Sequence, residues 1–489
     1  MKRDPERCEF REPLPGDDDG SGFACGLVRQ VLGTPRQDAG RVRPEACREC
    51  CDFRLPSSSH LNPVIASLVY NGAKMIAEDR GASWREREEA VRSQQYVVEQ
   101  LEVVRGGPLT TARAAGAADK IAARKAPPAA LGKVGLVGWN TASGLGYMNR
   151  DIATHLPIEK WLVPEHPVYR TLDPPPTRAR VEEVGLEIET AEIKAWLRGL
   201  DWVLFVELPY FPRLAHCAHD LGIQIACVPM WELACVQADW MRLCDLMVCS
   251  TRFAYELLCD WKRRFGFGWE VVELPWPIDT GRFRFRRRTR CERFLFVNGT
   301  GGCGAFRDDG KPATYRRKGM EILLPAARLL RPIPFLVYSQ VQPELPIPDN
   351  VELHLPPDSN SLLYAEADVC VQPSRWEGLG LQMLECQAAG LPLVTTEAPP
   401  MNEYRPLRTV PARETEPLWI LGRHAMTSHN VAPEDLAVTL ETLYRTDISE
   451  ASRRARSFIE QEHSWEKALP VLIRALARCS RGPRGERGS

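Results

Sequence analysis

Glu377 and Glu385 lie eight positions apart in SRWEGLGLQMLECQAAGLPLVTT, residues 374–396, on either side of Gly378-Leu379-Gly380-Leu381. Ionised carboxylates are strong acceptors for hydroxyl donors, so two held this close suit a sugar and a ribose. Glycines permit positive φ and let backbone N–H groups approach a ligand, and a helix starting there favours a phosphate by about half a unit charge. ADVCVQPS reads as a strand, GLGLQMLECQAA as a helix stopped by Gly390, and PLVTT as the next strand. Glu377 should then point from the turn into a cleft, with Glu385 about two turns along the helix. A solvated glutamate pair on an ordinary strand–helix unit fits the same pattern.

Three further stretches carry candidate chemistry. In YRRKGMEILLPAARLL, Met320, Leu323, Leu324 and Ala327 make one apolar helical face and put Arg317 and Lys318 at its N-terminal end. Cations beside free amides there can neutralise charge building on a departing diphosphate; a solvated basic turn is the plain alternative. KVGLVGWN runs into TASGLGYMNRDIATHL, where Gly144 and Gly146 could bring backbone against phosphate or acceptor. A lone Gly-x-Gly is weak by itself, and no Gly-Lys-Ser/Thr follows to make a P-loop. After IQIACVP come Met230, Trp231 and Glu232. Glu232 is a polar candidate, and Trp231 fits either a sugar-stacking ring or the core.

These residues need elements to position them. KVGLVGWN, DWVLFVE, IQIACVPM, DLMVCS and EVVELPW read as buried parallel strands, and so does a second series of FLFVNG, IPFLVYS, NVELH, ADVCVQPS and PLVTT. The expected class is α/β with two tandem Rossmann-like domains facing a cleft, preceded by a small Cys-rich and helical module. The expected boundaries are 1–60 for the Cys-rich module, 61–105 for a helical pair and 106–132 for a linker. The first Rossmann-like domain (acceptor side) is expected over 133–288, the second (donor side) over 289–445, a crossing helix over 446–480 and a tail over 481–489.

With 63 basic and 64 acidic side chains, the chain has no global attraction for nucleic acid, so any polyanion site must be local. No run approaches a signal peptide or a membrane span, which makes a cytoplasmic enzyme or binding protein the expectation. Six arginines between Arg282 and Arg290 could contact a lipid diphosphate or a membrane surface, although a solvated linker reads as well. Of 16 cysteines, eleven are scattered through apolar segments as reduced core residues. Cys8, Cys25, Cys47 and Cys50, with Cys51 adjacent, supply enough thiolates for structural zinc or an iron–sulfur cluster, but only Cys47 and Cys50 have strong ligand spacing.

The E-G-L-G-L-x-x-L-E stretch, preceded by P-S-x-W and followed by A-x-G-L-P-L-V-T-T, resembles the E-x7-E signature of the retaining glycosyltransferases of family four, which have the GT-B fold. The likeness extends along most of residues 133–470. It implies that Glu377 addresses the transferred sugar, Glu385 the nucleotide ribose and Lys318 the phosphate, with no cofactor required for catalysis. The Gly144–Gly146 loop and the Arg317-Lys318-Gly319 element sit at matching places. Two departures stand out: NGTGG replaces an arginine often found after the first strand of the second domain, and Glu232 follows the strand where many members carry a histidine. Arg316 or Arg317 could compensate for the first. The implied function is transfer from a nucleotide-diphosphate sugar to a glycan, lipid-linked or protein acceptor, in glycan or glycoconjugate biosynthesis. A sugar-nucleotide epimerase and a non-catalytic nucleotide-sugar-binding protein are the alternatives.

Overall fold

The computed structural model describes residues 131–479, apart from 167–169, 186–187, 212, 235–237, 300–316, 341–342, 344, 358 and 421–423, together with Arg11–Pro13 and Phe23–Cys25. Residues 1–124 with 419–425 form one compact unit, and 125–418 with 426–489 another. In the first, strands β1 (Arg11–Pro13) and β2 (Phe23–Cys25) pair antiparallel, Arg11 opposite Cys25. The expected helical pair, Cys8, Cys47, Cys50 and Cys51 lie outside the described residues, and Cys25 ends β2.

The second unit opens with a seven-stranded sheet made of β3 (Val134–Val137), β4 (Ile158–Pro164), β5 (Arg180–Val184), β6 (Trp202–Val206), β7 (Gln224–Val228), β8 (Leu246–Cys249) and β9 (Glu270–Glu273). Their order is β5-β4-β3-β6-β7-β8-β9, every neighbouring pair parallel. The central strands VGLV and WVLFV are buried at every position, so an unbroken apolar run is what both faces require. Helices α1 (Gly144–His155), α2 (Thr190–Leu197), α3 (Leu214–Asp220), α4 (Asp239–Leu243) and α5 (Arg252–Phe265) connect these strands.

A six-stranded sheet follows, of β10 (Phe294–Gly299), β11 (Phe335–Ser339), β12 (Val351–His354), β13 (Val369–Gln372), β14 (Leu393–Thr396) and β15 (Arg408–Val410), ordered β12-β11-β10-β13-β14-β15 and again all parallel. Its helices include α6 (Met320–Leu329) and α7 (Leu381–Ala388). Both sheets reverse their winding at the first strand, between β3 and β6 and between β10 and β13. In open parallel sheets the crevice outside the carboxyl ends at such a reversal is where ligands bind.

The tandem Rossmann-like architecture expected from the sequence is present, and each of the ten expected strands forms. The strands β1 and β2 and a two-stranded sheet of Ala412–Ile420 and His424–Val431 were not anticipated, nor were three strands of the parallel sheets. Edge strand β5 (RVEEV) is polar and largely exposed, β4 mixes Glu159 and Lys160 with apolar residues, and β15 is three residues long. After α8 (Pro433–Leu443) come α9 (Ser449–Glu462) and α10 (Trp465–Cys479), the last of the described helices; α9 packs on α7 and α10 on β8. Ile152, Trp276, Leu384, Phe458 and Trp465 belong to one buried cluster, so the two sheets share a core. Of the arginine run, Arg284, Arg286, Arg287 and Arg290 are exposed. Arg288 instead is buried and donates to the carbonyls of Tyr364 (2.5 Å) and Ala367 (3.2 Å), and Arg282 turns toward Glu385.

Candidate active site

The turn from β13 into α7 lies at the reversal point of the second sheet, and Glu377 sits in it with no exposed surface. Its carboxylate accepts from Lys318 Nζ (2.8 and 2.9 Å), Arg317 Nη2 (3.1 Å), Ser374 Oγ (2.7 Å) and Gln382 Nε2 (3.0 Å). Burial pushes this carboxyl up, but Lys318, Arg317 and the hydrogen bonds outweigh it, so Glu377 titrates below the ordinary glutamate value and stays ionised. Lys318 is lowered to about 8, because burial removes more from the ammonium than Glu377 returns.

Backbone geometry places both partners. Gly319, at φ +82°, caps α6 and delivers Lys318 to Glu377; a Cβ on it would stand 2.3 Å from the Pro373 carbonyl oxygen. Gly380, at φ +70°, plays the same part before α7. Because α7 starts at Leu381, Glu385 lies just over one turn into the helix rather than about two. Leu379 is buried beside this turn and Leu381 is half-buried.

Glu385 is also buried, so neither glutamate belongs to a solvated pair. Its oxygens accept from Asn360 Nδ2 (2.5 Å) and Tyr364 Oη (2.7 Å), both from the 3₁₀ turn Asn360–Tyr364, and Arg282 Nη2 stands 3.7 Å away. Burial raises its pKa to about 7 against these partners. Arg282 also donates to Asp151 on α1 and lies over the Tyr147 ring at 5.1 Å, tying the first sheet's leading helix to Glu385. Asn360, Tyr364 and Asp151 were not singled out in the sequence, and Arg282 was named only as part of the arginine run. Arg282 lies inside a run that reads as solvated, and Asp151 looks like a helix-surface acid.

From the other sheet, the turn after β7 brings Glu232 against the same place. Its Oε1 lies 3.5 Å from Arg317 Nη1, and its carboxylate fills the space where a Gly378 side chain would be, 2.2 Å from that Cβ position. Trp231 is buried and donates from Nε1 to the Glu377 carbonyl at 2.7 Å, with Phe253 against its face. It is therefore a strut of the turn and not an exposed stacking ring. Arg317 touches both Glu232 and Glu377; Arg316 lies outside the described residues.

The first-domain glycines occupy the loop after β3. Gly146 is buried, its N–H already donates to Ser143 Oγ (3.1 Å), and a Cβ there would strike the Thr141 carbonyl. Gly144 is exposed with open space around it. Beyond the carboxyl ends of β4 and β5 lies an open cavity of ≈ 680 Å³ lined by Glu165, His166, Arg170, Asp173 and Glu183, with Trp139 packed on His166.

Residues 310–416 match the family model described as glycosyl transferases group 1. This stretch is a glycosyltransferase domain. It contains Arg317, Lys318, Glu377 and Glu385, whereas Gly144, Gly146 and Glu232 fall outside the match. No curated protein matches the chain. Among solved structures, the chain superposes on Anabaena Alr3699/HepE in complex with UDP, with TM-score 0.50 and 12% identity over 71% of this chain and 100% of that one. The same Anabaena protein with UDP and glucose gives 0.51 and 11% over 71% and 99%, and with UDP-glucose 0.50 and 11% over 71% and 100%. At that identity the likeness establishes the fold, which is GT-B.

Proposed function

We propose that the protein transfers a sugar from a nucleotide-diphosphate sugar to an acceptor hydroxyl with retention of configuration, in glycan or glycoconjugate biosynthesis. The observation that carries the reading is the convergence of Lys318, Arg317 and the ionised Glu377 on the Gly378–Gly380 turn, at the winding reversal of a matched glycosyltransferase domain. An ammonium and a guanidinium held in a site closed to water stabilise charge on a departing diphosphate far better than in bulk solvent. The α7 amides add to that field.

In this reading Lys318 and Arg317 turn from Glu377 to the diphosphate, which frees acceptor positions on Glu377 for the transferred sugar's hydroxyls, and Glu385 takes the ribose. A carboxylate offers about four acceptor positions, so the two hydrogen bonds that Glu385 accepts leave room for ribose hydroxyls. The acceptor approaches from the first domain, over the cavity beside β4 and β5. Its hydroxyl attacks the face the diphosphate leaves from, and the leaving phosphate oxygen takes its proton. UDP and UDP-glucose in the Anabaena complexes favour uridine donors for the first trials. No helix among the described residues is long and apolar enough to cross a membrane. A lipid-linked acceptor would be met at the surface.

Calorimetry and mass spectrometry of the full chain against UDP-, GDP-, ADP- and dTDP-sugars test the proposal. One donor should bind, lose affinity in Glu385→Gln and slowly release nucleoside diphosphate. Donor that binds and is epimerised with no acceptor present would replace transfer by isomerisation, and absence of binding to every donor would remove the enzyme reading.

A further inference from the structure

Glu232 occupies an unusual position for an acid. It stands on the tight turn after β7, where Leu233 and Ala234 donate their N–H groups to the Met230 carbonyl at 2.9 and 3.0 Å, and its neighbour Trp231 is pinned to the Glu377 carbonyl. The turn cannot easily swing away. The carboxylate is 3% exposed, covers Gly378, and its Oε2 has no hydrogen-bond partner among the described residues. A buried, half-satisfied carboxylate seated on the turn that should receive an anion is costly when ionised.

The charges around it sharpen the point. The groups facing Glu232 are Arg317 and Lys318 from the segment before α6, Glu377 from the β13–α7 turn and the buried phenol of Tyr404. Arg317 and Lys318 bring two positive charges and Glu377 and Glu232 two negative ones, so the four cancel when all are ionised. A nucleoside-diphosphate sugar adds two negative charges to that balance. The neutral acid, unlike the carboxylate, both removes one repulsion and turns the unpartnered oxygen into a donor.

Resting on the donor reading above, we propose that Glu232 is protonated in the donor complex and donates a hydrogen bond to the bound diphosphate or to the sugar attached to it. The proton enters from solvent as the anion binds and returns when nucleoside diphosphate leaves. Glu232 is thus a substrate-contacting residue whose protonation sets donor affinity. Burial already pushes its carboxyl above the ordinary glutamate value, against Arg317 and its own backbone N–H. An anion beside it pushes further in the same direction.

The test is calorimetric titration of the full chain with UDP-glucose, and with the other nucleoside-diphosphate glucoses if that one does not bind. It is run at about pH 6.5 in buffers of different ionisation enthalpy, where Lys318 is already charged and the donor's phosphates do not titrate. Wild type should take up a proton that Glu232→Gln does not, and Glu232→Gln, which keeps a donor group, should bind at least as tightly and lose part of the pH dependence. Above the free-state value, wild-type affinity should fall toward tenfold per pH unit. Uptake that survives in Glu232→Gln, or proton uptake equal in wild type and Glu232→Gln at every pH from about 6 to 8, overturns the proposal. Failure of every donor to bind wild type removes the donor reading as well, so the two failures are distinguishable.

Discussion

Lys318 is the side chain on which the proposed chemistry most depends. It gives two hydrogen bonds to a carboxylate that has no solvent, and its charge is the one burial has weakened, with a value of about 8. Lys318→Met should keep the stem's volume while removing the charge, lowering kcat/KM by about 10²–10³-fold, the size found when one preorganised transition-state donor is deleted. Lys318→Arg should not restore activity, because a guanidinium fork cannot replace a point charge in a closed site. The pH dependence has a definite sign. The charged form prevails below about pH 8 and is lost above it, so donor affinity should weaken as pH rises from 7 to 9. An affinity flat across that range, or a Lys318→Met enzyme of full activity, would take the lysine out of the site.

The element that places Lys318 is the turn into α6, and its geometry depends on Gly319. Positive φ there costs an L-residue about 1–2 kcal/mol. The added methyl would also meet the Pro373 carbonyl at 2.3 Å, a backbone atom that cannot rotate aside. Gly319→Ala should therefore lower stability in urea unfolding by more than the backbone term alone and displace Lys318 from Glu377, reducing donor binding. A variant as stable as wild type would mean that the turn relaxes. The same scale shows why some elements were legible and others not. Strands such as WVLFV announce themselves because a parallel strand buried on both faces must be apolar throughout, while RVEEV at the sheet edge is under no such demand. Glu377, Glu385 and Lys318 could be found because glycine turns and helix starts bracket them in sequence. Asn360, Tyr364, Arg282 and Asp151 converge on Glu385 from segments up to 234 positions away, a juxtaposition that only the tertiary fold creates. Arg288 shows the converse: within a run of like charge, one guanidinium is buried and spends its donors on backbone carbonyls.

At the scale of the whole molecule, besides Glu232, three acids at the junction of the two sheets are raised to about 7. Asp151 on α1 and Glu385 on α7 share Arg282, and Glu403, beyond β14, accepts from the backbone N–H groups of Arg252 and Phe253 at the start of α5, both at 2.8 Å. Burial raises each to about 7, despite Arg282 beside Asp151, the Tyr364 bond to Glu385 and the backbone donors on Glu403. Unfolded, these groups titrate near the ordinary 3.8 for Asp and 4.5 for Glu, so the folded state holds more protons between those values and 7. Stability therefore falls as pH rises through about 7, by on the order of 1 kcal/mol per group between pH 6 and 8. The loss is smaller for the half-buried Glu403, where solvent screens the charge. His463, lowered to about 4 by burial, works in the opposite sense, but it is common to wild type and variant. Urea unfolding at pH 6 and pH 8 should show wild type losing stability relative to the combined Asp151→Asn, Glu385→Gln and Glu403→Gln protein, whose pH slope should be flatter or reversed. Equal slopes would mean that water or rearrangement already relieves these charges. Unequal slopes would mean that these acids ionise at the expense of the folded state over the same pH interval in which Glu385 ionises, linking the proposed ribose contact and the contact between the sheets through the one guanidinium of Arg282.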